Sequence, residues 1–278
     1  MSKTITIAAV SQKSQFGNIT DNIRSTENWS RTAKSMGADI VCFPELNISG
    51  YSLSHDNESV AETIPGPITD EIIRIAHNIN ICIIAGLVEK TGEGPAITQV
   101  AVSPGGILGT YRKVHLSPPE KDIFVPGSTF PLMTYKEITF GIGLCFDAHF
   151  PEQSTIYALQ GADIIFFPHA SPRPESAREK RDRWLRYLPA RSYDNSVYTV
   201  VCNQVGDTSN GNVFRAVNLI LGLKGEILAE AYGDNEEITV YTLPCDKLQE
   251  IRESRMGHFL SNRSPHLYAE ILKIKTNT

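Results

Sequence analysis

Short apolar runs alternate with longer mixed ones along the whole chain. Ile5–Val10 is apolar without interruption and predicts a buried strand; residues 18–36 read as a helix that opens near Asn18 and closes at Gly37. A strand over Ile40–Phe43 follows, stopped by Pro44, then a helix over Thr69–Asn80 and a strand over Ile81–Leu87. Ala96–Val102 and Ile107–Tyr111 flank Ser103-Pro104-Gly105-Gly106, a turn signal between two strands. The second half repeats the order. It predicts a strand over Ile138–Leu144, a helix over Glu152–Gln160 closed by Gly161, a strand over Ile164–Phe167, one long helix over 175–194, and a strand over Val197–Cys202. Asn218–Leu223 and Ile227–Ala231 around Lys224-Gly225 are again hairpin-like.

The repetition is partly literal. Gly37-Ala38-Asp39-Ile40-Val41-Cys42-Phe43-Pro44 recurs as Gly161-Ala162-Asp163-Ile164-Ile165-Phe166-Phe167-Pro168. In each copy a glycine ends a helix, a short turn follows, and a buried strand stops at proline. With the matched order of elements, this predicts a pseudo-duplicated α/β chain, one domain over 1–278, whose two parallel-rich halves carry helices outside and stack sheet on sheet.

Composition narrows the classes. The chain has 278 residues, 41% hydrophobic and 21% charged, with a formal net charge of −5. That fits a soluble globular protein and excludes a general nucleic-acid binder, which needs a basic stripe. No apolar stretch is long enough to span a membrane, and Lys3 followed only by Ile5–Val10 is no signal peptide. Five cysteines without a C-x-x-C pair point to a reduced, cytoplasmic protein, with Cys42, Cys82 and Cys202 inside buried strands.

Four residues could carry chemistry. Cys145 sits where a strand gives way to a turn and a helix near Pro151, a setting expected to lower a thiol pKa; it reads equally as a small buried hydrophobe. Glu45 lies just past a strand end, where a carboxylate can serve as a general base or remain a solvated loop acid. In Tyr111-Arg112-Lys113-Val114-His115-Leu116 strand alternation turns either Arg112 or Lys113 inward, with His115 on the side of Lys113. A buried cation there needs a partner. Glu120 follows Pro118-Pro119 and alone would read as a surface acid. A Cys–His pair of Cys145 with His115, His149 or His169 stays open. A metal site of Cys145, Asp147 and His149 has the wrong ligand spacing, and no Gly-rich phosphate loop follows a strand, so no metal or cofactor is expected.

Together these residues resemble the nitrilase superfamily of carbon–nitrogen hydrolases, over roughly residues 4 to 270. Phe43-Pro44-Glu45-Leu46 with Ser49-Gly50-Tyr51 resembles its glutamate motif. Tyr111 to Leu116 resembles its lysine motif, and Gly143-Leu144-Cys145-Phe146-Asp147 with Phe150-Pro151-Glu152 its cysteine motif. The resemblance implies a four-layer αββα sandwich, with Cys145 as nucleophile, Glu45 as base, Lys113 as electrostatic stabiliser and Glu120 as a second acid. The backbone N–H of Phe146 would join Lys113 as an oxyanion donor. Tyr51, Phe146, His169 and Arg173 are candidate substrate contacts.

Residues 169–187 lie where family members form one wall of the pocket. The run holds Arg173, Arg178, Lys180, Arg181, Arg183 and Arg186 against Glu175, Glu179 and Asp182. One reading is a pocket for a small substrate bearing a carboxylate, such as an ω-amide or N-carbamoyl acid. The other is a solvated helix laced by Arg178–Asp182 and Glu179–Arg183 pairs. The leading expectation is a thiol hydrolase cleaving a small linear amide through a thioester. Nitrile hydrolysis, acyl transfer to an amine and a non-catalytic scaffold are the alternatives. The resemblance also implies a homodimer or a dimer-based oligomer.

Overall fold

The structure, a computed structural model, describes residues 4–208 and 211–273. The first half runs β1 (Thr4–Ser11), α1 (Ile19–Ser35), β2 (Ile40–Cys42), α2 (Asn57–Val60), α3 (Pro67–Ile79), β3 (Cys82–Lys90), β4 (Pro95–Ser103) and β5 (Gly106–Arg112). The second runs β6 (Met133–Tyr135), β7 (Ile138–Ile142), α4 (Pro151–Leu159), β8 (Ile164–His169), α5 (Ala177–Trp184), α6 (Leu188–Tyr193) and β9 (Tyr198–Asn203). A small ribbon, β10 (Gly206–Asp207) with β11 (Val213–Phe214), precedes β12 (Ala216–Leu221), β13 (Ile227–Gly233), β14 (Glu237–Pro244), α7 (Asp246–Glu253) and α8 (Pro265–Lys273).

Two six-stranded sheets result, in the orders β14-β1-β2-β3-β4-β5 and β13-β12-β9-β8-β7-β6. In each, three consecutive strands are parallel: Ile7 pairs with Ile40 and Ile40 with Cys82 in one, Phe140 with Ile164 and Ile164 with Tyr198 in the other. The repeated Gly-Ala-Asp segments do the same work twice. Asp39 Oδ2 accepts from the Thr6 N–H at 2.9 Å, and Asp163 Oδ2 from the Thr139 N–H at 2.9 Å. The Asp39 and Asp163 carbonyls then accept the first N–H of the next strand, from Cys82 and Tyr198, each at 2.9 Å. The glycines before them have φ of 88° and 100°, a conformation costly for any side chain with a Cβ.

The central strands β2, β8, β9 and β12 are buried on both faces, so they do not alternate between apolar and polar, whereas the edge strands β5 and β13 are half-exposed. Ile7, Ile40, Ile84, Phe140, Phe166 and Val200 pack between the sheets in one cluster. Val41 and Ile83 on the outer face of the first sheet pack with Ile72 and Ile75 of α3. Phe167 and Val201 on the outer face of the second pack with Tyr157, Trp184 and Leu188 of α4, α5 and α6. This is the αββα sandwich. Each such side chain, fully buried, contributes about 1.5–3 kcal/mol. Cys42, Cys82 and Cys202 are fully buried, as their strand settings predict.

Two expectations need correction. The helix expected over 175–194 is two helices, broken at 185–187. Pro189 lies in the first turn of α6, and a proline there cannot continue the ladder of a preceding helix. The strand expected to run through His115 ends at Arg112, although the Lys113 N–H still donates to the Ile97 carbonyl at 2.9 Å. His115 therefore does not share the side of Lys113: its ring turns to Asp147 and stacks on Phe150.

Candidate active site

Glu45 sits in the loop that leaves β2. Leu46 takes φ +53°, which folds the chain back so that the Ile48 N–H reaches the Gly86 carbonyl at 2.9 Å. Asn47 Oδ1 accepts from the Gly86 N–H at 2.8 Å. The approach is so close that a Cβ on Gly86 would lie 2.5 Å from the Leu46 nitrogen. Gln99 Nε2 donates to the Phe43 carbonyl and Gln204 Nε2, from the other half, to the Glu45 carbonyl at 2.8 Å. The Glu45 side chain is fully buried.

Lys113 follows β5. Arg112 turns outward to Glu89 at 2.7 Å, and Lys113 turns inward, where it has no solvent exposure. Its Nζ lies 2.7 Å from Glu45 Oε1 and 2.8 Å from Glu120 Oε1. Glu120 ends a 3-10 turn over Pro118–Glu120, and its Oε2 accepts from the Ser117 N–H at 2.7 Å. It is not a surface acid. Tyr51 Oη is 3.4 Å from Glu120 Oε1, and the Ala170 N–H donates to Glu45 Oε2 at 2.9 Å.

Cys145 opens a 3-10 helix, Cys145–His149, directly after the second sheet's parallel strand β7. Its φ is +45°, in the sparsely allowed left-handed region. The Asp147 N–H donates to the Leu144 carbonyl at 2.9 Å, while the Phe146 N–H, in the first turn, has no partner within the helix.

The electrostatics follow from burial and three neighbours. Burial pushes Glu45 up, Lys113 pulls it back and Glu120 pushes it up again, leaving it at about 7. Burial works against the Lys113 ammonium, but Glu45 and Glu120 hold it well above its ordinary value. The Cys145 thiol is not lowered, as its position in sequence predicts, but raised: burial and the Glu45 charge outweigh Lys113.

Lys113, Glu120 and Cys145 line a cavity of about 330 Å³ together with Tyr51, Phe146, His169 and Arg173, and Glu45 reaches it through its contact with Lys113. All four candidate substrate contacts thus meet the site. Sequence reasoning placed 169–187 along one wall of the pocket but singled out neither Trp184 nor Tyr187, and left Arg183 between a pocket and a solvated helix; all three line the cavity. The i, i+3 spacing of Trp184 and Tyr187 was the available signal. The charge run is not a simple solvated helix. Lys180 is fully buried and pairs with Glu175 at 3.0 Å, which also takes Arg183 at 2.6 Å. Burial would raise Glu175, but Arg183 and Lys180 hold it down at about 2. Glu179 does not meet Arg183 but caps its own helix at Ser176. Arg178 and Asp182 do approach, at 3.9 Å.

His169 is buried and neutral: burial drives it down to about 3. Its Nδ1 donates to the Phe167 carbonyl at 2.7 Å, and its Nε2 has no partner among the described residues. His149 stacks against Tyr187, and His115 is engaged by Asp147. No three His, Cys, Asp or Glu residues group as metal ligands among the described residues. No helix there is long and apolar enough to cross a membrane.

Residues 6–253 match the family described as Carbon-nitrogen hydrolase. The chain is 31% identical to a nitrilase of Pyrococcus abyssi over 268 residues, covering 95% of this chain and 99% of that protein. It is 30% identical to omega-amidase NIT2 of Homo sapiens over 91% of this chain and 93% of that one. The crystal structure of an amidase from Nesterenkonia sp. superposes with a TM-score of 0.81 over 96% of both chains, at 24% identity. A glutamate, a lysine and a cysteine carried to one cavity by the two sheets of an αββα sandwich, and a family match running almost end to end, have one reading: the chain is an enzyme of the carbon–nitrogen hydrolase family, within the nitrilase superfamily.

Proposed function

We propose that the protein hydrolyses the C–N bond of a small linear amide through a thioester on Cys145, and that the whole chain forms one catalytic domain. The observation that carries this reading is the buried Glu45–Lys113–Glu120 chain, with contacts of 2.7 and 2.8 Å, whose Lys113 and Glu120 line the same cavity as Cys145. A carboxylate held near 7 both accepts and returns a proton at neutral pH.

Glu45 takes the thiol proton as the sulfur attacks the carbonyl carbon. The π electrons move to oxygen, where the Lys113 ammonium and the Phe146 N–H stabilise them. The tetrahedral species collapses, the C–N bond breaks, and Glu45 returns the proton to the leaving nitrogen. Water then attacks the thioester, giving its proton to Glu45, and the acid leaves as the thiol is restored. Glu120 keeps Lys113 charged and aimed.

Arg173 at the cavity mouth and the net positive Lys180–Glu175–Arg183 cluster behind it favour a substrate with a carboxylate, an ω-amide or an N-carbamoyl acid. Tyr51 and Phe146 contact its chain and His169 offers a buried acceptor. The human relative's name, an omega-amidase, agrees with this class. Five free cysteines fit a reducing compartment, the cytoplasm. Exposed Leu159 on α4 with Leu267, Ile271 and Leu272 on α8 support self-association into a dimer or dimer-based oligomer.

Ammonia release from neutral amides, ω-amides, N-carbamoyl acids and matched nitriles tests the reading, with mass spectrometry for an acyl group on Cys145. Turnover of ω-amides or N-carbamoyl acids with an acylated Cys145 is expected. Turnover of nitriles alone, or undiminished turnover by Cys145→Ala, overturns it.

A further inference from the structure

The cavity chemistry leaves one buried charge unused. Asp147 has no solvent exposure, and its carboxylate accepts four hydrogen bonds. Oδ2 takes the Leu144 N–H at 2.8 Å and the Tyr111 hydroxyl at 2.7 Å; Oδ1 takes the His115 N–H at 2.8 Å and the His115 Nδ1–H at 2.7 Å. The donors belong to two segments. Leu144 precedes Cys145 on one sheet's elbow, whereas Tyr111 and His115 flank Lys113 at the end of the other sheet's strand.

We infer that Asp147 is a positioning residue, whose carboxylate ties the Lys113 segment to the Cys145 elbow and so sets the Lys113 Nζ and the Phe146 N–H as oxyanion donors about the thiol. The inference rests on the proposed thioester reaction. Three further features support it. Cys145 is held at φ +45°, which persists only where surrounding bonds over-determine it. Asp147 supplies them: its side chain binds the Leu144 N–H and its own N–H binds the Leu144 carbonyl, closing a ring around Cys145 and Phe146. The donors are themselves fixed. The Tyr111 hydroxyl accepts from Gln153 Nε2 at 3.0 Å, and the His115 ring stacks on Phe150 with centroids 3.8 Å apart. The far side of the elbow is pinned where Arg191 Nε donates to the Ala148 carbonyl at 3.0 Å.

Only a carboxylate suits four converging donors. Asparagine keeps the shape but offers one oxygen and turns an NH₂ toward two of them. The elbow then relaxes, and a donor misplaced by about 1 Å costs on the order of a hundredfold in rate.

The test uses a reaction that needs the oxyanion donors and one that does not. Butyraldehyde adds to the Cys145 thiol: an S–C bond forms, the C=O π bond breaks, and the thiol proton ends on the oxygen that occupies the oxyanion position. Iodoacetamide alkylates the same sulfur: an S–C bond forms at its CH₂, iodide leaves and the thiol proton passes to Glu45, with no charge developing on a carbonyl oxygen. Aldehyde affinity is read from its protection of Cys145 against iodoacetamide. In Asp147→Asn the affinity should fall about tenfold or more, while the alkylation rate without aldehyde stays within about threefold. Should that variant fail to fold, Tyr111→Phe removes one of the four donors and should weaken the aldehyde about threefold with alkylation unchanged. Unchanged aldehyde affinity in the folded variant, or alkylation falling in parallel with it, overturns the inference. A wild-type protein that binds the aldehyde but releases ammonia from no amide overturns the proposed function while this comparison still reads out. A wild-type Cys145 that no aldehyde protects overturns both.

Discussion

Cys42 of β2 and Cys202 of β9 face each other across the gap between the two sheets, their sulfurs 4.0 Å apart. Cys42 stands three positions before Glu45, and Cys202 two before Gln204, which holds the Glu45 carbonyl. Packing at this point is thus shared between the core and the site.

Cys42→Ala and Cys202→Ala should each lose about 1–2 kcal/mol of stability, as core truncations do. Cys145→Ala should abolish turnover with a stability change below about 0.5 kcal/mol, because Cys145 faces a cavity. Urea denaturation with an ammonia assay separates the two kinds of cysteine; a destabilised but active Cys145→Ala would reverse their roles.

With Glu45 held at about 7, kcat/KM should rise with pH and level off above it. The sign follows from the base role: below that pH Glu45 carries a proton and cannot take the one on sulfur. Lys113, held well above its ordinary value, keeps its charge throughout, so no fall is expected before alkaline pH. A pH profile that is flat from 5 to 9 would count against Glu45 as base.

Lys113→Met should do more than remove an oxyanion donor. It strands Glu45 and Glu120 side by side without their shared cation, and breaking a buried pair of this kind costs about 3–5 kcal/mol. One or both carboxyls should then bind a proton, so the loss should shrink at low pH, measurable as a narrowing gap in denaturation midpoint from the wild type.

Gly86→Ala should lower kcat without touching any group that meets substrate. The new Cβ would press on the Leu46 nitrogen and on Gln99 Oε1, displacing the loop that carries Glu45. A drop of about tenfold or more in kcat is expected. Unchanged kinetics would mean that the loop yields freely.

Arg173→Ala should raise KM for an anionic amide about threefold to tenfold and leave kcat nearly unchanged, with the wild-type KM itself rising with salt. Arg173 is the cation to choose, because it forms no ion pair among the described residues, whereas Arg183 is held by Glu175 through two contacts of 2.6 and 3.0 Å. Equal effects on a matched neutral amide would sink the carboxylate reading.

The fold was legible where local pattern and burial agree. The doubled Gly-Ala-Asp junction announced two equivalent halves, and Asp39 and Asp163 do make matching bonds. That one of Arg112 and Lys113 turns inward was legible from strand alternation, and the family resemblance picked Lys113. The break at 185–187 was not, because Trp184, Tyr187 and Leu188 keep an i, i+3, i+4 spacing across it and only Pro189 hints at the interruption. The raised Cys145 thiol was also hidden, because its pKa depends on Glu45, exactly a hundred positions away in sequence. Asp147 looked like a possible metal ligand, since nothing local reveals that Tyr111 and His115 approach it from the other sheet.

Glu45 hangs from one sheet and Cys145 from the other, with Gln204 and Ala170 of the second half bonded to Glu45 of the first. Activity is therefore a coincidence signal. In the proposed reaction neither half of the chain alone brings Glu45, Lys113 and Cys145 together, so a clipped chain is expected to leave the sulfur unactivated. Restored turnover after refolding is then expected to read out that the two halves have met in register.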